Sequence, residues 1–499
     1  MNTVLQQYLE SPLNSYGKQI GDTAQLKKDA DQKALKLFSL AAKRIPAYKD
    51  FLQQFSIKPE LIKTIADFSE IPYTTKDNYI LTYPIEQRCW DGDLTQTHMF
   101  AASSGSTGEP TFWPRQLDQE VEGALIHEYL FDKVFSVRSK KTLFVNSFGL
   151  GNWIAGMYTQ MCVYLNRLHD LPMTIANPGY NQDETFKVIR AFSHFYEQTI
   201  IACHPPIIKM MIENGAKSGI DWSKLNVRFL GAGEGFSENW RDYLVALVQQ
   251  TDISRTMINI YGSADAGLMG FETPLSIALH RETAKNHQLN QLLFNSERNP
   301  YLYQFDPTLR YLESISGNIA ITMNATMPLI KYNIKDQGNI LDNQDLISTI
   351  SQHSSEFLSD CKKINISPAD WPLPFVYIFG RDQFMITLYG VNIYPENFKA
   401  VFEHPDLQQH LTGRFSTEKM QDDNQDHYLH IRLELKPSRR PSKYLAEKTR
   451  SIFIKTLKEL NSEYNQVEDK FGTKMHPTFK FHRFQHPEFF PEGKTKKMG

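Results

Sequence analysis

The sequence predicts an α/β protein of more than one domain, and three observations carry that expectation. Its 499 residues exceed what one hydrophobic core organises. Between about residues 140 and 265, short β-rich runs alternate with amphipathic stretches, the pattern of helices covering a largely parallel sheet. Beyond about residue 380 a second, smaller alternation begins. The expected architecture is a large N-terminal domain over 1–379, with mixed or parallel sheets and helices, and a small C-terminal α/β domain over 380–499.

The elements follow in order. Over 24–55, Leu35, Phe38 and Ala42, with Leu37 and Ala41, recur at helical spacing until Pro46 interrupts. In the central block "KTLFVNSF" reads as a strand, "DETFKVIRAFSHFYEQ" as a helix, "TIIACH" as a strand and "PPIIKMMIENGAKSG" as a helix. "NVRFLGAG", "SENWRDYLVALVQQ" and "TMINIYGSADAG" continue the alternation. Ligands gather at the carboxyl ends of such strands, so the glycine-rich stretches at 231–235 and 262–267 fall where a site is built. Near the C-terminus "HYLHIRLEL" alternates Leu429, Ile431, Leu433 and Leu435 as a half-buried strand, and "KYLAEKTRSIFIKTLKEL" reads as a helix. The basic "LKPSRRPSK" between them reads as a solvated turn.

Composition narrows the class of function. Hydrophobic residues make up 41% and charged residues 22%, which suits a globular chain. A net charge of -2 leaves no basic footprint for nucleic acid. Cys89, Cys162, Cys203 and Cys361 lie far apart without a C-x-x-C pair, against a disulfide scaffold or a cysteine-rich zinc site. No apolar run reaches membrane-spanning length, and "MNTVLQQYLESPLNSYGKQ" lacks a signal core. The expectation is a cytoplasmic protein without a membrane or nucleic-acid partner.

The stretch "AASSGSTGEPTFWP" (101–114) is the richest in chemistry. Glycine lets backbone approach a ligand, and N–H groups with Ser/Thr hydroxyls donate to phosphate oxygens. No Lys-Ser/Thr follows the glycines, so it is not a Walker loop. Alone it reads first as a surface turn; its company changes that reading. "SSGSTGEPT" resembles the phosphate loop of the adenylate-forming superfamily, S-[SG]-T-T-G-x-P. "YGSADAG" (261–267) resembles that superfamily's Y-G-x-[ST]-E motif, and "PLIKYNIKDQG" (328–338) its P-x-x-R-Y-R-T-G-D. "GRDQFMITLYGVNIYPENF" (380–398) is similar to its hinge segment, and the terminal "PEGKTKKMG" to its lysine loop. "IPYTTKDNYILTYP", "GAGEGFSENWR" and "GVNIYPENF" resemble phrases of one branch, the phenylacetate–CoA ligase family. The resemblance thins at 272–316 and 340–374, which look like insertions.

The resemblance implies ATP-dependent activation of a carboxylic acid, aromatic acids included, to an acyl-adenylate with release of pyrophosphate, then transfer to CoA. Transfer to an amine, or a degenerate nucleotide-binding protein with little turnover, are the alternatives. It implies that Ser104, Gly105, Ser106, Thr107 and Gly108 hold the β- and γ-phosphates of ATP. Tyr261, Gly262 and Ser263 would flank the adenine and the acid, Asp336 would take the ribose hydroxyls, and Arg381 would sit at the ribose and domain junction. Asp265 occupies the place of the glutamate that binds Mg²⁺; the rival reading is an acidic helix cap. Lys494 is the candidate catalytic lysine on a mobile C-terminal domain, with Lys496 contesting the role. The chain departs from the pattern at Lys331, at Asn333-Ile334-Lys335 in place of R-T-G, and at Gln383 in place of the hinge aspartate; Gly233 and Gly235 leave Glu234 unplaced. His204 reads either as an acyl-pocket residue or as a structural histidine. "NSFGLGNWIAG" (146–156) reads either as a pocket wall or as a tight turn in the core.

Overall fold

The computed structural model describes residues 3–10, 23–103, 111–296, 298–354, 356–381, 386–402 and 404–490. The chain folds as two compact units. One comprises Met1–Ala101, Trp113–Cys203 and Met211–Gly380, and the other Ala102–Phe112, His204–Met210 and Arg381–Gly499.

The first unit opens with helices α1 (Thr3–Glu10), α2 (Thr23–Arg44) and α3 (Pro46–Gln54). Pro46 ends the helical run and starts the next: Ile45 is extended and the proline takes the first turn of α3, where its missing N–H costs nothing. Strands β1 (Met99–Ser103) and β2 (Thr111–Arg115) pair as a two-stranded sheet and lead into α4 (Leu117–Tyr129). Then β3 (Thr142–Asn146), α5 (Ile154–Leu168), β4 (Met173–Ala176), α6 (Gln182–Phe192), β5 (Gln198–Cys203), α7 (Pro205–Lys217), β6 (Val227–Ala232), α8 (Glu238–Leu247) and β7 (Met257–Ser263) alternate as expected. Pairing from β4 through β3, β5 and β6 to β7 is parallel throughout. Every residue of β3 and β5 is buried, as befits strands covered on both faces.

From β7 the sheet turns antiparallel. Strand β8 (Gly267–Phe271) folds back on β7, and after α9 (Pro274–Lys285) come β9 (Tyr301–Gln304), β10 (Tyr311–Ile315), β11 (Asn318–Met323), β12 (Leu329–Leu341) and β13 (Phe375–Arg381). The eleven strands lie in the order β10-β11-β12-β13-β9-β8-β7-β6-β5-β3-β4. Within the segment 272–316, β9 lies inside the sheet between β13 and β8. The core fills both faces at the strand period of two: Phe375 and Tyr377 join the side packed by Phe131, Phe144 and Leu275, while Val376 and Ile378 join that of Phe38, Phe51 and Phe68.

The second unit holds the hairpin β14 (Ile386–Leu388) and β15 (Val391–Ile393), then α10 (Pro395–Phe402). A three-stranded sheet follows, with β16 (Leu411–Gln421) antiparallel and β18 (Thr478–His482) parallel to the central β17 (His427–Leu435). Leu429, Ile431, Leu433 and Leu435 are all buried, and residues 436–443 are exposed, as the alternation and the basic turn predict. Helix α11 (Lys443–Leu460) packs Phe453 on Phe479 of β18, and α12 (Ser462–Phe471) sets Tyr464 against the same Phe453 ring; Ser442 caps α11 by accepting from the Leu445 N–H at 3.1 Å.

Helix α1 is fastened by a titrating group. The His169 ring stacks on Tyr8 with centroids 3.7 Å apart. Its Nδ1 lies 2.8 Å from a Glu128 carboxylate oxygen and its Nε2 2.5 Å from the Tyr8 carbonyl. Both partners accept, so both ring nitrogens donate and the imidazole is charged. Burial opposes that charge, but the bond and charge of Glu128 and the Tyr8 carbonyl outweigh it, and the net pKa is raised. A folded pKa above the unfolded value of about 6.5 stabilises below that value and loses its contribution as pH climbs through the folded one. Hydrogen exchange of residues 3–10, corrected for its intrinsic pH dependence, is therefore expected to accelerate as pH rises above about 6.5. The acceleration is expected to vanish in His169→Gln.

Candidate active site

The parallel strands end together at one edge, where Asn146 pairs with Ala202, Cys203 with Gly231 and Ala232 with Ile260. The last of these strands carries the densest chemistry. The Tyr261 hydroxyl donates to Asp336 Oδ2 at 2.7 Å, joining the 261–267 and 328–338 segments through a buried bond. The Tyr261 ring stacks on Tyr303, centroids 5.5 Å apart and planes at 23°.

Between β7 and β8 the chain turns tightly, and the turn accounts for its own sequence. A side chain at Gly262 would begin 2.7 Å from the Gly267 carbonyl oxygen, so only glycine closes the hairpin there. Gly262 is also exposed, which leaves its backbone open to a ligand. The Ser263 hydroxyl donates to the Asp265 carboxylate and accepts from the Ala266 N–H at 3.3 Å. Gly267 takes a left-handed φ of 66°. Asp265 thus stands half-buried in a strand-to-strand turn, which removes the helix-cap alternative.

Strand β12 bends on its way to Asp336. Lys331 and Lys335 have left-handed φ values of 44° and 62°. At an ordinary residue this costs about 1–2 kcal/mol. Lys335 stands where the resembled motif has glycine, the residue that meets such a φ without strain. Here its N–H donates to Asn333 Oδ1 at 2.8 Å and its ammonium pairs with Asp77 at 2.6 Å. Lys331, in the place of the motif's arginine, is buried; its ammonium donates to the Phe68 and Ser69 carbonyls at 3.1 and 2.5 Å and pairs with Glu313 at 3.3 Å. It is committed to holding 68–69 against β12.

The "GAGEGFSENWR" segment is equally structural. Gly233 has φ 90°, and a side chain at Gly235 would begin 2.1 Å from the Tyr301 ring. Ser237 caps α8, accepting from the Trp240 N–H at 3.2 Å. Arg241 is fully buried and grips Glu238 in a fork of two 3.0 Å bonds, Glu272 at 2.6 Å and the Met257 carbonyl. The second Glu272 oxygen accepts from the Asn259 N–H at 2.6 Å, and the Asn259 amide reaches the Glu234 carbonyl at 3.1 Å and the Tyr303 hydroxyl at 3.2 Å. His280 and Arg281 complete the shell of Glu238 at 3.0 and 2.8 Å. Burial would raise the Glu238 carboxyl, but the Arg241 charge and the His280 and Arg241 bonds hold it well below the usual carboxylate range. This network belongs to the sequence reading's omissions. Its one advance signal was the Glu-x-x-Arg spacing at 238–241, the reach of one helical turn.

Of the residues expected to act, Tyr261, Gly262, Ser263, Asp265 and Asp336 come together in this region. Ser104, Gly105, Ser106, Thr107, Gly108, Gln383, Lys494 and Lys496 lie outside the described residues. Arg381 ends β13. His204 is buried between β5 and α7. The glycines of 146–156 serve close packing: a side chain at Gly156 would begin 2.2 Å from the Gly149 carbonyl oxygen, and one at Gly149 3.0 Å from the Tyr180 ring.

No family model and no curated protein matches the sequence. Among solved structures the chain is similar to 2-hydroxyisobutyryl-CoA ligase in complex with 2-HIB-AMP and CoA in its thioesterification state, with TM-score 0.64 and 13% identity over 96% of this chain and 90% of that one. The same ligase in its postadenylation state with R3-HIB-AMP gives TM-score 0.54 and 12% identity over 95% and 87%. Its open conformation with 2-HIB-AMP and CoA gives 0.53 and 12% over 98% and 92%. At such identity the likeness is one of fold. The chain has the mixed α/β fold of the adenylate-forming enzymes, with a separate C-terminal domain.

Removing the Arg241 cation leaves the buried Glu272 carboxylate without its ionic partner and strips Glu238 of one of its two guanidinium groups. Arg241→Ala is expected to lower the free energy of unfolding by about 3–5 kcal/mol in urea titration.

Proposed function

We propose that the protein is an ATP-dependent acid ligase of the phenylacetate–CoA ligase type, which makes an acyl-adenylate and passes the acyl group to CoA. The observation that carries this reading is the Tyr261–Asp336 hydrogen bond. It joins two of the five segments that resemble adenylate-forming motifs, on a chain whose fold is that of an acyl-CoA ligase. The carboxylate oxygen of the acid attacks the α-phosphorus of ATP, the α–β anhydride bond breaks and pyrophosphate leaves. The thiol of CoA then attacks the acyl carbon and AMP leaves.

Little covalent work falls to the protein, so its residues position and neutralise. Ser104, Gly105, Ser106, Thr107 and Gly108 supply the donors for the β- and γ-phosphates. In this reading the backbone of Gly262 and Ser263 borders the adenylate, Asp336, already oriented by Tyr261, takes the ribose hydroxyls, and Arg381 keeps the ribose and domain-junction role that the resemblance gives it. Asp265 fits a Mg²⁺ that arrives with the nucleotide. Among the described residues no three His, Cys, Asp or Glu side chains gather around an ion, whereas Mg²⁺ typically takes one or two carboxylates and completes its shell with phosphates and water. Bound there, the ion would offset phosphate charge. Lys494 brings an ammonium to the α-phosphate as the carboxylate approaches, an interaction made mainly in the transition state.

A panel of carboxylic acids, assayed for pyrophosphate release with and without CoA, tests the reading. An acyl-CoA product is expected. An amide formed with an added amine would move the acceptor, and ATP binding without any pyrophosphate release would leave a nucleotide-binding protein. With the best acid, Lys494→Ala is expected to slow adenylation by a hundredfold or more, roughly the loss of an oxyanion donor, while ATP affinity holds. Asp265→Ala is expected to raise the Mg²⁺ concentration for half-maximal release.

A further inference from the structure

The turn that carries Asp265 pivots on Gly267, and glycine is the residue least able to hold its own backbone still. What holds it is a neighbour. Tyr158, on α5, is buried, and its ring lies directly beneath the turn: a side chain at Gly267 would begin 3.0 Å from Tyr158 Cζ and 3.1 Å from its hydroxyl oxygen. The same ring fills a second gap left by a glycine, since a side chain at Gly123 on α4 would begin 2.1 Å from that hydroxyl. The Arg115 guanidinium lies over the ring at 5.0 Å, and Arg115 is itself fixed by a buried 2.5 Å bond to Glu120. His127 meets the ring edge-on at 5.4 Å. The Tyr158 hydroxyl makes no hydrogen bond to nitrogen or oxygen among the described residues and meets only the Cys162 thiol, so the ring's shape and π-face are its main contribution.

We propose that Tyr158 is a positioning residue for the metal-nucleotide complex: wedged between Gly123 and Gly267 and held by Arg115, it fixes the turn and so the direction of the Asp265 carboxylate. The Gly262–Gly267 contact restrains the turn within the hairpin, and the Tyr158 ring restrains it from the core. Without the ring, Gly267 can relax into the space beneath it. The proposal rests on the reading of Asp265 as the Mg²⁺-side carboxylate.

Calorimetric titration of ATP with MgCl₂, and the Mg²⁺ dependence of pyrophosphate release, test it in the full-length protein. Tyr158→Leu, measured well below its melting temperature, is expected to weaken Mg·ATP binding and raise the half-saturating Mg²⁺ by roughly tenfold to a hundredfold, the scale of an ångström's misplacement. Tyr158→Phe, which keeps the ring, is expected within about twofold of wild type, the hydroxyl having no nitrogen or oxygen partner. Phe294→Leu removes aromatic packing elsewhere in the same core and is expected to lower the melting temperature without moving the Mg²⁺ requirement. If Tyr158→Leu does not fold, Gly123→Ala displaces the same ring and is expected to shift the Mg²⁺ requirement in the same direction. Unchanged Mg·ATP affinity and Mg²⁺ requirement in the folded variant, with normal binding by wild type, overturn the role of Tyr158 alone. Failure of the wild type itself to bind Mg·ATP overturns the functional reading and this inference with it.

Discussion

The hydrogen bond from Tyr261 to Asp336 sets a demanding geometric condition, because the strands that bear the two residues are not neighbours. Three strands, β8, β9 and β13, lie between β7 and β12 in the sheet. A flat sheet would hold their backbones about 19 Å apart at the usual strand spacing, beyond the span of a tyrosine and an aspartate. The bond exists because the antiparallel half curls and because β12 departs from ideal extension. Its left-handed residues Lys331 and Lys335 turn the strand where it approaches Asp336. Each is held by bonds that a straight strand would lack: Lys331 through the carbonyls of Phe68 and Ser69, Lys335 through Asn333 and Asp77.

Two lysines hold that bend where the resembled motif has arginine and glycine. A long cation at 331 is required to reach carbonyls and a carboxylate buried on one side of β12, and lysine meets that requirement with a single ammonium. At 335 glycine would relieve backbone strain, but lysine adds the pair with Asp77. The departures from the motif alter how the strand is held, while Asp336 keeps its bond to Tyr261.

Much of the fold was legible in the sequence because its signals are local. The alternation of β-rich runs with amphipathic stretches from "KTLFVNSF" to "TMINIYGS" needs only the periods of strand and helix, and the parallel strands lie where those periods put them. Pro46 interrupts the first helical run by backbone chemistry that no tertiary contact changes. The antiparallel half was illegible for the opposite reason. β9 contributes four residues to the middle of the sheet, too few to show a period, and its place depends on pairing with β13, which lies far along the chain. The candidate site divides in the same way. Tyr261, Ser263, Asp265 and Asp336 could be picked out because the two short segments that carry them resemble known motifs. Arg241, Glu272 and Asn259 could not be joined, since an ion network among α8, β7 and the residue after β8 is a fact of three dimensions.

Glycine is where sequence and structure part most instructively. A glycine-rich segment reads as a place where backbone meets ligand, yet several of these glycines meet protein. Gly235 makes room for Tyr301, Gly156 for the Gly149 carbonyl, and Gly123 and Gly267 for Tyr158. Gly262 does both, closing the hairpin against Gly267 while remaining exposed. The consequence is mechanical. Where a missing side chain is filled by an aromatic ring, the glycine gains a rigid wall without gaining a rigid backbone, so the precision of the turn comes from the ring. A half-buried carboxylate in such a turn accepts from Ser263 within it, while the Tyr158 ring packs beneath Gly267, so the turn is ordered before any ligand arrives. Under the proposed function that order serves a Mg²⁺ shared with the phosphates, because a carboxylate ordered only on binding would spend part of the binding energy on its own immobilisation.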